Sequence, residues 1–435
     1  VNSRSVNPRL NLDEVLAEAV DWQFKSFPIA RGPVRVSTVG DQGWNALEPP
    51  FQLPLLVLKD QALSHNIETM AEYARARSVS LAPHAKTPLS PQIAARQLAA
   101  GAWGLTVANL HQARVLRSAG ARRLIVANEV VDRSSALWLA GEINEDPGVE
   151  IYCLVDSIQG ARLLNHHLAG AHNDVRLSVL IELGMPEGRC GCRSVDEACR
   201  LAATVADLER LRLAGVEGYE GVFSAGQVQD AIARVDRFLD ELRELAERLD
   251  GASLFRDVRE ILVSAGGSIW FDRAAAKLSE PWNLTRPVRT VIRAGSYVTH
   301  DAGEYERLSP LDGRATGPQR LEQALELWAE VVSRPEPELA VLNFGKRDAA
   351  YDRGFPIPFA ARTSSGNYPL NPEDHEIVVL NDQHARMRLM NDSPLAVGDL
   401  VGSHVSHPCT SFDKWRLVPL VDDNYDVIGA IRSYL

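Results

Sequence analysis

The sequence has few cysteines, no long apolar run and no excess of positive charge. No stretch of eighteen apolar residues occurs among its 435, so no membrane-spanning helix is expected. Residues 1–10 are polar and carry no hydrophobic signal core, and a cytoplasmic protein is expected. The five cysteines, Cys153, Cys190, Cys192, Cys199 and Cys409, are too few and too scattered for a secreted disulfide framework. Forty-six basic residues against 57 acidic leave a net charge of −11, which argues against non-specific nucleic-acid binding and permits a small-molecule enzyme. No internal repeat or low-complexity segment stands out. What is present, 45% apolar and 24% charged, is ordinary globular material, long enough for two or three domains or one barrel with an appendage.

Between residues 54 and 268 short apolar runs alternate with longer segments of helical spacing. The runs are 54–58, 80–84, 104–108, 124–128, 150–155, 176–182, 211–217 and 260–264, and helices are expected at 60–77, 111–119 and 227–249. In the last of these, Val228, Ile232, Val235, Phe238 and Leu242 recur at steps of three or four and keep one face. Eight strands, each followed by a helix, match the arithmetic of a (β/α)8 TIM barrel; an open doubly wound sheet is the rival, since alternation alone does not show closure. After Asp301 the pattern predicts strands at 339–344, 375–380, 395–405 and 416–421, one helix near 318–332, and a surface loop at 353–370. The expected organisation is an N-terminal helix (13–27) and extended segment within 1–53 packing on the β domain, a barrel over 54–290, and a C-terminal mainly-β domain over 291–435.

In such a barrel functional side chains project from the C-terminal ends of strands. The second expected strand ends in Ala82-Pro83-His84-Ala85-Lys86-Thr87-Pro88. A lysine desolvated there acquires the lowered pKa needed to condense with a carbonyl; the plainer reading is a rim lysine reaching solvent. The eighth ends in Ser264-Ala265-Gly266-Gly267-Ser268, whose backbone N–H groups suit a phosphate, although a Gly-Gly turn is also common for steric reasons. Arg189, in a glycine-bearing loop after the sixth, either reaches an oxyanion or is a solvated loop residue. Glu217 and Tyr219 share one face of the seventh strand end, where the carboxylate either pairs with a cationic ring nitrogen or caps the next helix. Farther on, Ser403-His404-Val405-Ser406-His407-Pro408-Cys409 places a histidine and a cysteine two apart on an extended segment, half of a site for a borderline metal such as zinc; a buried cysteine with a satisfied histidine is the alternative. Cys190 and Cys192 share the spacing without a nearby histidine and are read as structural.

In this order the segments resemble the pyridoxal-phosphate (PLP) enzymes sharing the alanine-racemase barrel, in particular the branch of eukaryotic-type D-serine dehydratases and D-threonine aldolases. The resemblance runs from residue 54 to 435 and rests on Pro83-His84-Ala85-Lys86-Thr87, the turn at 264–268, Arg293-Ala294-Gly295-Ser296-Tyr297-Val298-Thr299-His300-Asp301, and His407 with Cys409 after Val397-Gly398-Asp399. It implies that Lys86 carries PLP covalently and later moves the Cα proton, with His84 and Arg189 in the same catalytic group. Gly266, Gly267, Ser268 and Tyr297 would hold the phosphate, Arg189 would approach the ring hydroxyl, and Glu217 and Tyr219 would line the cofactor. His407 and Cys409 would bind Zn2+ or another divalent metal facing the substrate's β-hydroxyl. His384 matches a family histidine near the pocket, with Gln383 where glutamate is usual. A homodimer is implied.

The dehydratases often carry an aromatic residue at the position of Glu217, and a carboxylate there would keep the ring nitrogen protonated. Aldolases tend to carry aspartate where this chain has Cys409. The resemblance therefore implies a lyase of D-configured β-hydroxy amino acids, eliminating water to give a 2-oxo acid and ammonia. Retro-aldol cleavage to glycine and an aldehyde is the alternative. A racemase has no use for a metal facing a β-hydroxyl, and non-catalytic PLP-binding barrels lack a domain like 302–435.

Overall fold

The structure is a computed structural model that describes residues 9–28, 32, 34–171, 174–224, 228–312, 314, 319–390 and 392–435. Residues 1–8 of the polar N-terminal stretch, and Gln227 and Pro318 at the starts of two expected helices, lie outside the described residues. Two compact units divide the chain, one built mainly from Met70–Lys86 and Gln97–Gly295, the other from Asn11–Thr69, Thr87–Arg96 and Ser296–Leu435.

The first unit contains eight parallel strands, Ser80–Leu81, Leu105–Val107, Arg123–Glu129, Glu150–Val155, Leu177–Leu183, Leu211–Gly218, Ile261–Ala265 and Val288–Ile292. From the second onward they neighbour one another in chain order, and the eighth pairs back on the first, with Val291 opposite Ser80 and Ile292 opposite Leu81. The remaining seam is joined by the Trp103 N–H donating to Leu81 O at 2.7 Å and by a parallel bridge between His84 and Thr106. The sheet therefore curls round as the (β/α)8 barrel of the expectation rather than lying open. Ala82, Ile125, Leu154, Leu180, Ala214, Leu262 and Val291 pack into one interior layer. At Gly215 a Cβ would lie 1.8 Å from Leu262 O, so only glycine lets those two strands approach. Four of the strand-to-helix turns end in side-chain caps: Asn109, Asp132, Ser157 and Ser194 accept from the N–H of Gln112, Ser135, Gly160 and Glu197.

The strand count is right but one member is not. The run expected as the first barrel strand, 54–58, forms the strand Leu55–Lys59 of the second unit, where it pairs antiparallel with Leu325–Glu336 and parallel with Leu417–Val421. Val288–Ile292 takes the eighth barrel place, and the strand before the Gly-Gly turn is seventh. Leu55 to Leu58 are all fully buried, and a uniformly apolar run of that kind carries no mark of which sheet it joins.

The second unit is a ten-stranded, largely antiparallel sheet centred on Leu325–Glu336. That strand replaces the helix expected near 318–332. Its Leu, Glu and Ala favour helix, but Leu325 to Ala329 are buried in succession, and pairing on both sides overrides the propensity. The expected loop at 353–370 is a hairpin, Ile357–Thr363 with Gly366–Pro369, and the expected helix at 13–27 shrinks to Asp13–Ala17 followed by the short strand Ala19–Val20. Among the described residues no helix is long and apolar enough to cross a membrane.

Leu180 is fully buried in the interior layer, so Leu180→Ala is expected to destabilise the protein by about 2–5 kcal/mol. Chemical denaturation of the two proteins side by side measures it.

Candidate functional site

In the first unit the chain beyond Ser80–Leu81 is held before it reaches Lys86. Ala82 N–H donates to Ile292 O at 2.9 Å, Ala85 N–H to Thr106 O at 2.7 Å, and Thr106 N–H to Pro83 O at 2.9 Å. Gly295 lies against this segment so closely that a Cβ would sit 2.5 Å from His84 O. The backbone at Lys86 is thus fixed between the eighth and second strands. Lys86 itself is exposed at this strand end. Burial, followed by the charges of Lys86, Arg293 and Arg189, pushes His84 well below the usual imidazole range and keeps it neutral.

Facing strand ends carry a buried ionic layer. Glu217, 1% exposed, pairs with Arg293, whose guanidinium also donates to Ser264 Oγ at 2.5 Å and Gly218 O at 3.2 Å. Burial raises Glu217 to about 7 against the opposing Arg293 charge, and its Oε2 has no hydrogen-bond partner among the described residues. Arg189 lies over the Tyr219 ring at 4.5 Å, and a Cβ on Gly267 would come within 2.8 Å of Tyr219 Cε2. The Gly266 and Gly267 N–H groups donate to the carboxylate of Glu220 at 3.0 and 2.6 Å, while Ser268 Oγ accepts from Gly295 N–H at 3.3 Å. Glu182 stands opposite Glu217 in register; burial and then the Glu217 charge raise it to about 10. Its carboxylate lies with those of Glu129 and the thiol of Cys190, ligand atoms within 4.8 Å of one another, an association the spacing of Cys190 and Cys192 did not suggest.

In the second unit His407 and Cys409 come together, although not along an extended strand. Pro408 is helical (φ −66°, ψ −36°) and Cys409 opens the short helix Cys409–Phe412. His407 Nδ1 donates to Asp352 Oδ2 at 2.7 Å, and Thr410 Oγ1 donates to Asp352 Oδ1 at 2.7 Å. Burial opposes a charged imidazole, yet the hydrogen bond and charge of Cys409, joined by those of Asp352, raise His407 to about 9. Thr87 Oγ1 lies 3.2 Å from Cys409 Sγ. Tyr297 is fully buried in the turn Ser296–Val298, and His384 is exposed in the turn after Glu376–Leu380. Asp352 lay in a stretch read as loop, and Glu220 follows the strand-end pattern by a single residue. Neither carried a spacing signal.

Glu217, and His407 with Cys409, fit the groups the resemblance implies, whereas the Gly266 and Gly267 amides are already engaged by Glu220. The orphaned, buried Glu217 Oε2 suits a protonated ring nitrogen. An imidazole oriented by a carboxylate, with a thiol partner, is a donor set for a divalent borderline metal.

Residues 58–280 match the family described as alanine racemase, N-terminal domain, and residues 324–421 match "Putative serine dehydratase domain". The chain belongs to the alanine racemase N-terminal domain family, with which its barrel agrees. A D-threonine aldolase of Arthrobacter sp is 28% identical over 374 residues, covering 83% of this chain and 89% of that protein. A D-threo-3-hydroxyaspartate dehydratase of Delftia sp. is 29% identical over 253 residues, covering 57% of this chain and 61% of that protein. Among solved structures, D-threonine aldolase from Filomicrobium marinum is similar with a TM-score of 0.72 and 28% identity, over 88% of this chain and 95% of that one.

Asp352 holds His407 Nδ1, so if His407 and Cys409 take up a divalent metal, Asp352→Asn is expected to weaken its binding by about 10–100-fold. Isothermal titration with Zn2+ or Mn2+ measures it. In the unaltered protein the imidazole must lose its proton to bind, so affinity is expected to rise as pH climbs toward about 9.

Proposed function

We propose that the chain is a PLP- and divalent-metal-dependent lyase of D-configured β-hydroxy amino acids that eliminates water, in the manner of a D-serine dehydratase. The observation that carries this reading is the pair His407 and Cys409 with its orienting Asp352, in a chain whose family barrel bears a lysine at a strand end. When bound, PLP makes the bonds at the substrate Cα labile and the metal polarises the β-hydroxyl.

Lys86 holds the cofactor and then removes the Cα proton. Neutral His84 adds no second positive charge to the strand end that carries Lys86. Glu217, fixed by Arg293, accepts from the ring nitrogen, Arg189 approaches the ring hydroxyl, and Tyr219, Ser268 and Tyr297 line the cofactor. His407 and Cys409 hold the metal. Loss of the Cα proton and of the β-hydroxyl as water leaves, after hydrolysis, a 2-oxo acid and ammonia. The assembly in this reading is a homodimer.

The second reading, retro-aldol cleavage to glycine and an aldehyde, is favoured by the aldolase relative that matches over 83% of the chain. The Cys409 thiol supports elimination, since it stands where the aldolases tend to carry aspartate.

Purified protein given D-serine, D-threonine and D-threo-3-hydroxyaspartate, with their L forms as controls, is expected to release equal amounts of 2-oxo acid and ammonia from a D substrate. Glycine with an aldehyde in place of the 2-oxo acid overturns the dehydratase reading. Lys86→Ala is expected to lose both turnover and the visible cofactor absorbance. Removal of metal by chelation is expected to abolish turnover while leaving that absorbance; activity that survives complete demetallation removes His407 and Cys409 from the mechanism.

A further inference from the structure

The Gly-Gly turn that suggested a phosphate cradle already serves an anion of the chain itself. Glu220 is fully buried, and its two carboxylate oxygens take the N–H of Gly266 at 3.0 Å and of Gly267 at 2.6 Å. Each amide has one hydrogen, so a phosphate oxygen cannot be received in the same place. Exchanging one anion for the other would leave a buried carboxylate without its donors, at the desolvation cost of that group.

The turn is held on other sides as well. Gly266 has φ +86°, a conformation that favours glycine, and its carbonyl accepts from Arg293 N–H at 2.9 Å. Tyr219 packs on Gly267 so tightly that a Cβ there would meet its ring at 2.8 Å. Glu220 thus completes a clamp that sets where the chain leaves the turn, at Ser268, whose Oγ is tied to Gly295 N–H.

We propose that Glu220 is a positioning residue for the cofactor's phosphate: it holds the Gly266–Gly267 turn from behind and leaves phosphate recognition to groups after the turn, Ser268 foremost. This rests on the proposed PLP chemistry and goes one step beyond it, since it removes two expected phosphate donors and assigns a role to a residue not among them.

The test compares PLP with pyridoxal, which lacks the phosphate, in absorbance titrations of the full-length chain and of Glu220→Gln. The variant is expected to lower the ratio of PLP to pyridoxal affinity about tenfold, with pyridoxal affinity nearly unchanged. An unchanged ratio overturns the proposal. So does an increased one, which would make Glu220 a competitor of the phosphate rather than its support. Should Glu220→Gln fail to fold, Glu220→Asp, which keeps the charge and withdraws it by one methylene, is expected to show a smaller fall in the same ratio, and no fall overturns the proposal. If the unaltered chain takes up no PLP at all, the proposed function itself fails, and that result is separate from an unchanged ratio.

Discussion

The ionic layer of the barrel depends on one buried guanidinium. Arg293 joins strand ends that the chain visits far apart: it pairs with Glu217, donates to Ser264 Oγ and Gly218 O, and through its own N–H binds Gly266 O. A buried ion pair is a poor source of net stability because both charges lose their hydration. Its value lies in specificity, because removing either partner strands the other at a cost of about 3–5 kcal/mol. Glu217 therefore has one acceptable arrangement, with Oε1 committed to Arg293 and Oε2 left for something else. The surrounding acids sharpen this. Glu182, raised to about 10 by burial and by Glu217, holds its proton at neutral pH and adds no further negative charge to the layer.

How much of this was legible in the sequence differs by the kind of information required. Alternating strands and helices, the lysine at 86 and the glycine pair followed from local pattern, since each is a property of consecutive residues. The assignment of Leu55–Lys59 did not, because four buried apolar residues in a row look alike in any sheet. Leu325–Glu336 was misread for a different reason. Its leucines, glutamates and alanines gave a helical composition, and pairing along both edges, which no local pattern shows, decided for a strand. The hairpin at Ile357–Thr363 and Gly366–Pro369 hid behind proline and glycine, which mark edges and turns as readily as loops.

The site shows the same division. Position at a strand end singles residues out in the sequence, whereas nothing local marks Asp352 or Glu220, because each acts on a group distant in the chain. Asp352 reaches His407 across 55 positions and Glu220 reaches Gly266 across 46. No spacing rule spans such gaps without a fold to bring the partners together. The segment around Pro408 adds a geometric lesson. A His-x-Cys spacing suggested side chains on one face of a strand, yet the two meet at the entrance of a helical turn, where a different backbone brings the same pair together.

Asp352, Glu217 and Glu220 share one physical role. In each, a carboxylate is committed to fixing another group: an imidazole, a guanidinium or a pair of backbone amides. A carboxylate suits this because it accepts at two oxygens along defined directions and its hydrogen bonds are strengthened by charge. Bound in this way it is also withheld from proton transfer, which matters as much as what it holds. Elimination requires one base at the Cα proton and an acid at the β-oxygen, and every additional free carboxylate would compete for either role. Tying an acid to fixed donors removes it from that competition, so the selectivity of such a reaction rests on which groups are immobilised as well as on which remain able to react.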